Sequence, residues 1–245
     1  MIFVSGFLII IRNQNTFKRI KNANPYIEYN PWGTLTGRLT TTPESFPILT
    51  LNKELRDVLL PNNDMFVELD YNSAELRVLL GLLGEDQPED DIHTSISKNI
   101  FNDKYSREET KKKVFSWLYN PKAQNKKLNT YLRRDEVLKK HYDGNEVYTP
   151  FGRKIQAPEE KAVNYLIQST ASDLLLTSAI KIDKMLKDKK SFLSFCIHDS
   201  LVIDFCKDDR AVLDEIMSVF SDTKFGNFKS NLSVGKSFGN MRKIL

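Results

Sequence analysis

The sequence predicts an α+β fold, in which an antiparallel sheet is interrupted by a helical insertion. Strand-like segments occur early and late, as in FVELDY at 66–71 and FCIHDSLVIDF at 195–205, and a long stretch with helical spacing lies between them. Strands toward both ends of a chain, with helices grouped between them, are typical of α+β domains rather than of alternating βαβ units.

Length and composition set broad limits on the class of protein. The 245 residues suffice for one large domain or two closely connected ones, and the formal net charge of +4 indicates no particular partner. The two cysteines, Cys196 and Cys206, form no CxxC pair, so we expect neither a disulfide framework nor a zinc site. A reduced, cytoplasmic setting follows, and the many Lys, Asn and Ile residues are compatible with an AT-rich phage genome.

The elements can be predicted in chain order. The apolar run before Arg12 is shorter than the roughly 20 residues of a membrane span and favours a buried strand. The remaining predictions are turns at 30–33 and 41–44, a strand at 66–71 with a helix after it, a loop at 84–91, basic helices over 92–145, a hairpin at 147–155, a long helix at 161–189 and a helix at 208–222. From Lys104 to Lys140 there are twelve Lys or Arg residues against four Asp or Glu residues.

The tripeptide His198–Asp199–Ser200 invites two interpretations. Neighbouring residues of an extended chain point to opposite faces, so these three cannot easily form a hydrolytic triad, and no GxSxG elbow is present. The flanking apolar runs instead predict a hairpin that displays Asp199 at its tip. Asp70, at the end of the strand 66–71, is the candidate second carboxylate. Two such aspartates could hold magnesium for phosphoryl transfer, although many strands simply end in Asp.

The segment 106–120 predicts a helix with one chemically distinctive stripe. Arg107, Lys111, Phe115 and Tyr119 recur every four residues and therefore share a helix face. The two cations could meet phosphates, and the two rings could pack on a sugar and a base. The alternative is an amphipathic helix with aromatic side chains in the core and cations in solvent.

Three motifs in this order resemble those of the family A DNA polymerases, the bacterial DNA polymerase I type: DYNSAELR at 70–77, RxxxKxxxFxxxY at 107–119 and IHDS at 197–200. Further stretches agree, namely TGRL at 36–39, DIHT at 91–94, YTPFGRKI at 148–155, NYLIQSTASDLL at 164–175 and VGKSFGNMRK at 234–243. The likeness begins near residue 28. It implies a polymerase palm with an antiparallel sheet, formed by 1–83 and 158–245, and helical fingers formed by 84–157.

The resemblance also implies catalytic roles. Asp70 and Asp199 would hold two Mg²⁺ ions, and Lys111 would act on the triphosphate and protonate the pyrophosphate leaving group. Arg107 would bind the same triphosphate, and His93 would be a further phosphate contact. Alternatively, His93 has a structural role as a residue at the start of a helix.

Sugar and DNA contacts are implied in the same way. Glu75, near Tyr119, would fill the space that a ribose 2′-hydroxyl needs, and Phe115 would pack on the sugar. Because Phe115 lacks the hydroxyl of a tyrosine, it would disfavour dideoxynucleotides. Positions that would touch primer and template are Arg38, Asn164, Gln168 and His198. Alternatively, Arg38 is a solvated turn cation, and Asn164 with Gln168 is only a polar stripe.

The sequence departs from the family pattern at three points. Ser200 stands where the family usually has Glu, as in the related single-subunit RNA polymerases, and Asn120 replaces a glycine. Only 35 residues precede Thr36, where the family carries a thumb and often a nuclease. We therefore expect a split or truncated enzyme, with a second polypeptide carrying the thumb or the 3′–5′ exonuclease.

Three functions remain open at this point. Template-directed DNA synthesis from dNTPs on a primer–template is the leading hypothesis. An RNA polymerase-like enzyme is favoured by Ser200 but opposed by Glu75 and Phe115. A catalytically idle DNA-binding fragment would use the basic 104–140 region to bind the nucleic-acid backbone.

Overall fold

The computed structural model describes residues 3–4, 20 and 23–244. Its strands are β1 (Phe3–Val4), β2 (Tyr29–Asn30), β3 (Thr40–Thr41), β4 (Leu59–Leu60), β5 (Met65–Tyr71), β6 (Glu146–Tyr148), β7 (Lys154–Gln156), β8 (Phe192–Ile197), β9 (Ser200–Phe205), β10 (Asp222–Thr223), β11 (Gly226–Asn227), β12 (Ser230–Gly235) and β13 (Met241–Lys243). Its α-helices are α1 (Ala74–Leu83), α2 (Ile92–Phe101), α3 (Arg107–Tyr119), α4 (Lys126–Leu132), α5 (Arg134–His141), α6 (Glu159–Leu186) and α7 (Leu213–Ser221). Three 3₁₀ helices span Ile48–Thr50, Lys53–Val58 and Lys207–Val212.

The largest sheet among the described residues has five strands, in the order β13-β12-β5-β9-β8. The pairs β5–β9, β8–β9 and β12–β13 are antiparallel. The remaining strands pair in twos, as β1–β4, β2–β3, β6–β7 and β10–β11. The α+β class with antiparallel sheets is therefore confirmed.

The chain divides into two compact units. Unit 1 comprises Met1–Asp70, Leu175–Phe220 and Ser230–Leu245 in their described parts, and it contains the five-stranded sheet. Unit 2 comprises Tyr71–Leu174 and Ser221–Lys229, and it contains α1 to α5.

The core of unit 1 lies against one face of the sheet. Phe66, Phe195 and Phe238 are buried and meet edge to face, with ring centroids 5.0 to 6.5 Å apart. Val202 and Ile197 belong to the same cluster. Such pairs add to the free energy of burial and fix the strands that carry them. Phe66 thereby anchors one end of β5 and leaves the other end to present polar side chains.

Unit 2 is built from short helices with well-defined starts. Ser106 and Glu109 form a capping box that begins α3, and Asp91 caps α2 by accepting a hydrogen bond from the backbone of Thr94. The buried guanidinium of Arg77 donates to the carbonyls of three residues: Asn72, Pro88 and Asp90. These bonds fix the acidic loop before α2, and burial lowers the pKa of Arg77 to about 10.

The structure refines several predicted elements. The long helix begins at Glu159 and ends at Leu186, and the predicted helix at 208–222 is a 3₁₀ helix followed by α7. The predicted N-terminal strand lies outside the described residues except for Phe3–Val4, which pairs with Leu59–Leu60. Among the described residues, no helix combines the length and apolarity that crossing a membrane requires.

Candidate active site

Asp70 and Asp199 lie at the same end of adjacent strands in unit 1. Asp70 is the penultimate residue of β5, and the β5–β9 register places it directly opposite Ser200. Residues opposite each other in an antiparallel pair have Cα atoms about 4.5 to 5.5 Å apart. Asp199 immediately precedes Ser200, so the hairpin turn brings the second aspartate beside the first.

The turn between β8 and β9 is tight. Only His198 and Asp199 link the two strands, and His198 takes a left-handed backbone conformation with φ of 52°. This conformation is uncommon for a residue that carries a side chain. The turn leaves His198 exposed and Asp199 partly exposed, whereas Ser200 is already buried in the strand.

Asp70 carries an unfavourable charge in this structure. Its pKa is raised to about 6: burial is the largest cause, the nearby carboxylates of Glu68 and Asp199 also raise it, and the Asn231 amide and the Lys243 ammonium oppose the rise. The Asn231 amide donates to Asp70 Oδ2 at 3.1 Å. A bound cation would favour the ionised carboxylate, so this environment fits a hard divalent metal.

The carboxylates do not form a ready-made metal cage. In the part of the chain that the structure describes, no group of three or more His, Cys, Asp or Glu side chains is arranged to hold a metal ion. The candidate donors are instead the carboxylates of Asp70 and Asp199, which lie close enough to interact electrostatically. Magnesium is commonly held by one or two carboxylates together with substrate phosphates, so the residues present fit such an ion.

Arg38 reaches the same site from the loop before β3. Its Nη2 donates to Asp199 Oδ1 at 3.3 Å, and both side chains are a little over one-third exposed. The sequence suggested a DNA contact or a solvated turn cation here. The structure brings Arg38 to Asp199, a contact that sequence spacing gave no reason to expect.

Glu68 is a polar residue of this region that sequence reasoning missed. Ser200 Oγ lies 2.9 Å from Glu68 Oε1 and 3.1 Å from the carbonyl oxygen of Ile197. The sequence could have predicted the position of Glu68, because Glu68 and Asp70 are two residues apart on a strand and therefore share a face.

In unit 2, α3 carries the predicted stripe of cations and rings. The Phe115 and Tyr119 rings are stacked with centroids 5.9 Å apart, and Lys111 Nζ lies 6.0 Å from the Phe115 centroid. Lys111 is exposed, and Phe115 and Tyr119 are half-buried. The stripe therefore has an open cationic end and a partly covered aromatic end.

Arg107, at the start of α3, is held by acidic neighbours. Its guanidinium contacts Asp91 at 2.8 Å and Glu108 at 2.5 Å. Burial alone would raise the pKa of Asp91, but hydrogen bonds from Arg107, Asn72 and Thr94 outweigh burial and hold that pKa well below its usual range. Asp91 thus fixes both the start of α2 and the direction of Arg107.

His93 is buried beside this stripe. Its ring centroid lies 5.7 Å from that of Phe115, and neither ring nitrogen has a hydrogen-bond partner among the described residues. Burial lowers the pKa of His93 to about 4, so the ring is neutral at pH 7. Burial of an imidazole whose nitrogens lack hydrogen-bond partners has a desolvation cost.

The other predicted contact residues lie on helices of unit 2. Glu75 is in the first turn of α1. Asn164 and Gln168 are half-buried, one turn apart on α6, and the Asn164 side-chain oxygen has no partner among the described residues. The structure thus groups the predicted residues within each unit, with Arg38, Asp70, His198 and Asp199 in unit 1 and the others in unit 2.

The chain is similar in sequence to known DNA polymerases. The model of DNA polymerase family A matches residues 122–241. DNA polymerase I of Chloroflexus aurantiacus is 26% identical over 89% of this chain and 29% of that protein. The DNA polymerase of Bacillus phage SP01 is 25% identical over 74% of this chain and 27% of that protein. The chain therefore spans less than a third of the length of these relatives.

A solved structure has the same fold. The POL domain of Pol1 from M. smegmatis, in complex with DNA primer-template and dNTP, superposes with a TM-score of 0.72 at 17% identity. The match covers 92% of this chain and 51% of that one. The resemblance that the motifs indicated is confirmed: the chain is similar to the family A DNA polymerases over part of their length.

Proposed function

We propose that the chain carries out template-directed DNA synthesis as a DNA-directed DNA polymerase. In this reaction the primer 3′-hydroxyl oxygen bonds to the α-phosphorus of a dNTP, and the bond to the pyrophosphate leaving group breaks. The observation that carries the proposal is the β5–β9 register, because it sets Asp70 beside the hairpin that presents Asp199. Homology to family A polymerases supports the same assignment.

We infer that Asp70 and Asp199 hold the divalent cations, two Mg²⁺ ions. The raised pKa of Asp70 supports this inference, because burial and the carboxylates of Glu68 and Asp199 disfavour its ionised form, which a bound cation would stabilise. When bound, the ions would supply electrostatic stabilisation of the attacking and leaving oxygens. The contribution of the chain is to hold one carboxylate near the end of β5 and the other in the adjacent hairpin turn.

The proposed nucleotide contacts lie in unit 2. Arg107 and Lys111 would bind the triphosphate, and Lys111 would donate a proton to the departing pyrophosphate. His93, neutral at pH 7, would offer a hydrogen bond rather than a charge to a phosphate oxygen. The stacked pair Phe115 and Tyr119 would support the sugar and base, and Glu75 would exclude a 2′-hydroxyl.

The proposed DNA contacts include residues of both units: Arg38, His198, Asn164 and Gln168. We keep the assignment of 1–83 and 158–245 to a palm and of 84–157 to fingers as part of this proposal. High affinity for a DNA duplex requires many contacts to its phosphate backbone. We propose that a second polypeptide with a thumb or 3′–5′ exonuclease supplies further contacts.

Single-nucleotide primer extension tests the proposal. The full chain, a primer–template, one dNTP and Mg²⁺ should give one added nucleotide, and EDTA should abolish the reaction. Lys111→Met should lower the rate by about a hundredfold. Lys112→Met is the matched control, because it removes a neighbouring exposed charge of the same helix and should leave the rate unchanged.

Two outcomes would contradict the proposal. The first is equal loss in both lysine variants, which would indicate only a general electrostatic effect. The second is tight primer–template binding without any incorporation, unaltered by Asp199→Ala, which is expected of an idle DNA-binding fragment. Processive synthesis by the chain alone would contradict the need for a second polypeptide.

A further inference from the structure

The strand that carries Asp70 presents a second carboxylate on the same face. Along β5, Val67, Leu69 and Tyr71 are buried, whereas Glu68 and Asp70 are partly exposed. Alternate residues of a strand point the same way, so Glu68 and Asp70 lie side by side at the polar end of this face.

The neighbouring strand holds the Glu68 carboxylate in place. Side chains directly opposite in an antiparallel pair share a face, and the register sets Ser200 opposite Asp70 and Val202 opposite Glu68. Ser200 Oγ lies within hydrogen-bond distance of both Glu68 Oε1 and the Ile197 carbonyl. A hydroxyl has one proton to donate, and the charged carboxylate is the stronger acceptor.

We propose that Glu68 is a positioning residue of the cation site at Asp70 and Asp199, an outer carboxylate that the Ser200 hydroxyl holds in place. This inference rests on the proposed function. Glu68 adds a third negative charge beside the two aspartates and raises the affinity of the site for a divalent cation.

An outer position suits both the geometry and the chemistry. The described residues contain no cage of three acidic ligands, so Glu68 is not a third direct ligand in this arrangement. Magnesium retains several of its waters when bound by proteins, and those waters donate hydrogen bonds. Partners one step beyond the metal ligands commonly change metal affinity by about 10- to 100-fold when removed.

This inference also gives the Ser200 side chain a role, which is to hold the Glu68 carboxylate. Ser200 stands where the resembled family usually has Glu, so position 200 supplies no carboxylate to this neighbourhood. Glu68 supplies one from the opposite strand, at 2.9 Å from the Ser200 hydroxyl. The bland alternative is that Glu68 is simply a polar residue satisfied by Ser200.

The affinity for a divalent cation distinguishes a positioning role of Glu68 from a purely structural one. We would titrate the full chain with Mn²⁺ and follow the free ion by electron paramagnetic resonance, without DNA or nucleotide. Glu68→Gln keeps the size of the side chain and an acceptor for Ser200 but removes the charge, so the dissociation constant for Mn²⁺ should rise about tenfold. Glu54→Gln, which removes an exposed carboxylate elsewhere in unit 1, should leave that constant unchanged.

Variants of Ser200 test the holding contact. Ser200→Ala should weaken Mn²⁺ binding about threefold, since Glu68 loses the hydroxyl that fixes it. Ser200→Thr retains a donor and should restore binding close to that of the unmodified chain. Circular dichroism spectra show whether each variant is folded. If Glu68→Gln does not fold, Ser200→Ala and Ser200→Thr still test the inference.

The reference variants are Asp70→Asn and Asp199→Asn. If both weaken Mn²⁺ binding while Glu68→Gln and Ser200→Ala stay within about twofold of the unmodified chain, the role of Glu68 is refuted and the proposed cation site stands. If neither aspartate variant changes Mn²⁺ binding, the cation site of the proposed function fails and the inference fails with it.

Discussion

The guanidinium of Arg38 donates to the carboxylate of Asp199 across 3.3 Å, although 161 positions separate the two residues in sequence. Both side chains remain a little over one-third exposed, so the ion pair contributes no more than about 1 kcal/mol to stability. The ion pair matters mainly because the Arg38 guanidinium is hydrogen-bonded to Asp199 Oδ1, a carboxylate oxygen that would also be a ligand of the proposed cations. Arg38 and a cation therefore compete for Asp199 when no DNA is bound.

Replacing Arg38 should consequently change two affinities in opposite directions. Arg38→Ala should tighten Mn²⁺ binding by about two- to threefold, because a weak competing ion pair is lost. Affinity for a primer–template should fall by about tenfold, because a charged hydrogen-bond donor is lost from the proposed DNA contact. Isothermal titration calorimetry of each ligand measures both changes. Lys53→Ala, an exposed charge of unit 1, is the control, and a fall in both affinities would contradict competition.

Asp70 should make stability depend on pH. Its pKa rises from 3.8 in the unfolded chain to about 6 in the folded one, so the folded state holds the proton more tightly. The resulting stabilisation is complete below pH 3.8 and is lost as pH rises through about 6. In EDTA at pH 7.5, Asp70→Asn should therefore be more stable than the unmodified chain by about 2 kcal/mol.

Thermal unfolding from pH 4 to 8 measures this difference. The advantage of Asp70→Asn should shrink toward pH 4, where the unmodified carboxyl is protonated as well. Mg²⁺ should stabilise the unmodified chain at pH 7.5 but not the variant. A constant difference at all pH values would show that Asp70 does not carry the predicted charge penalty.

His93 should matter for nucleotide binding more than for folding. His93→Phe keeps a ring against Phe115 and removes two buried nitrogens that have no partner in the described structure, so it should preserve or slightly raise stability. The KM for dNTP should rise about tenfold with the loss of one hydrogen bond. Steady-state extension kinetics give KM, and an unchanged KM would assign His93 to the core alone.

The same variant should also alter the acid response. Because burial lowers the pKa of His93 to about 4, the neutral ring contributes stability above pH 6.5 that is lost as pH falls toward 4. His93→Phe removes that loss. The difference between its thermal midpoint and that of the unmodified chain should therefore grow in favour of the variant as pH falls from 6.5 toward 4, and the reverse trend would contradict burial of a neutral imidazole.

Glu75 should control the choice between deoxy- and ribonucleotides. Glu75→Ala opens the space proposed for a 2′-hydroxyl, so the ratio of kcat/KM for dNTP over rNTP should fall at least about tenfold. Separate single-nucleotide assays with dNTP and rNTP measure the ratio. A preference of the unmodified chain for rNTP would instead favour an RNA polymerase-like function.

Local sequence patterns predicted the elements that carry the candidate site. Alternation in FVELDY and the apolar runs around His198 placed Asp70 and Asp199 at strand ends, and both strands are confirmed as β5 and β9. The four-residue spacing from Arg107 to Tyr119 predicted α3, with its rings stacked on one face. These features depend on contacts within one element or between neighbours, which a sequence displays directly.

The remaining features depend on tertiary contacts that no local pattern encodes. The loop that carries Arg38 reaches Asp199, and Ser200 meets Glu68, only because distant segments join one sheet. Asp91 was predicted as the end of an acidic loop, yet its bonds to Asn72 and Arg107 give it a structural role in unit 2.

Asp199→Asn tests the central claim most directly, because it removes one proposed cation ligand while keeping the shape of the hairpin tip. Single-turnover extension of a primer by one dNTP in Mg²⁺ should slow by at least about a hundredfold. Asp208→Asn, which removes an exposed carboxylate of unit 1 that pairs with Lys190, should not slow it. Extension by Asp199→Asn at the rate of the unmodified chain would contradict the account.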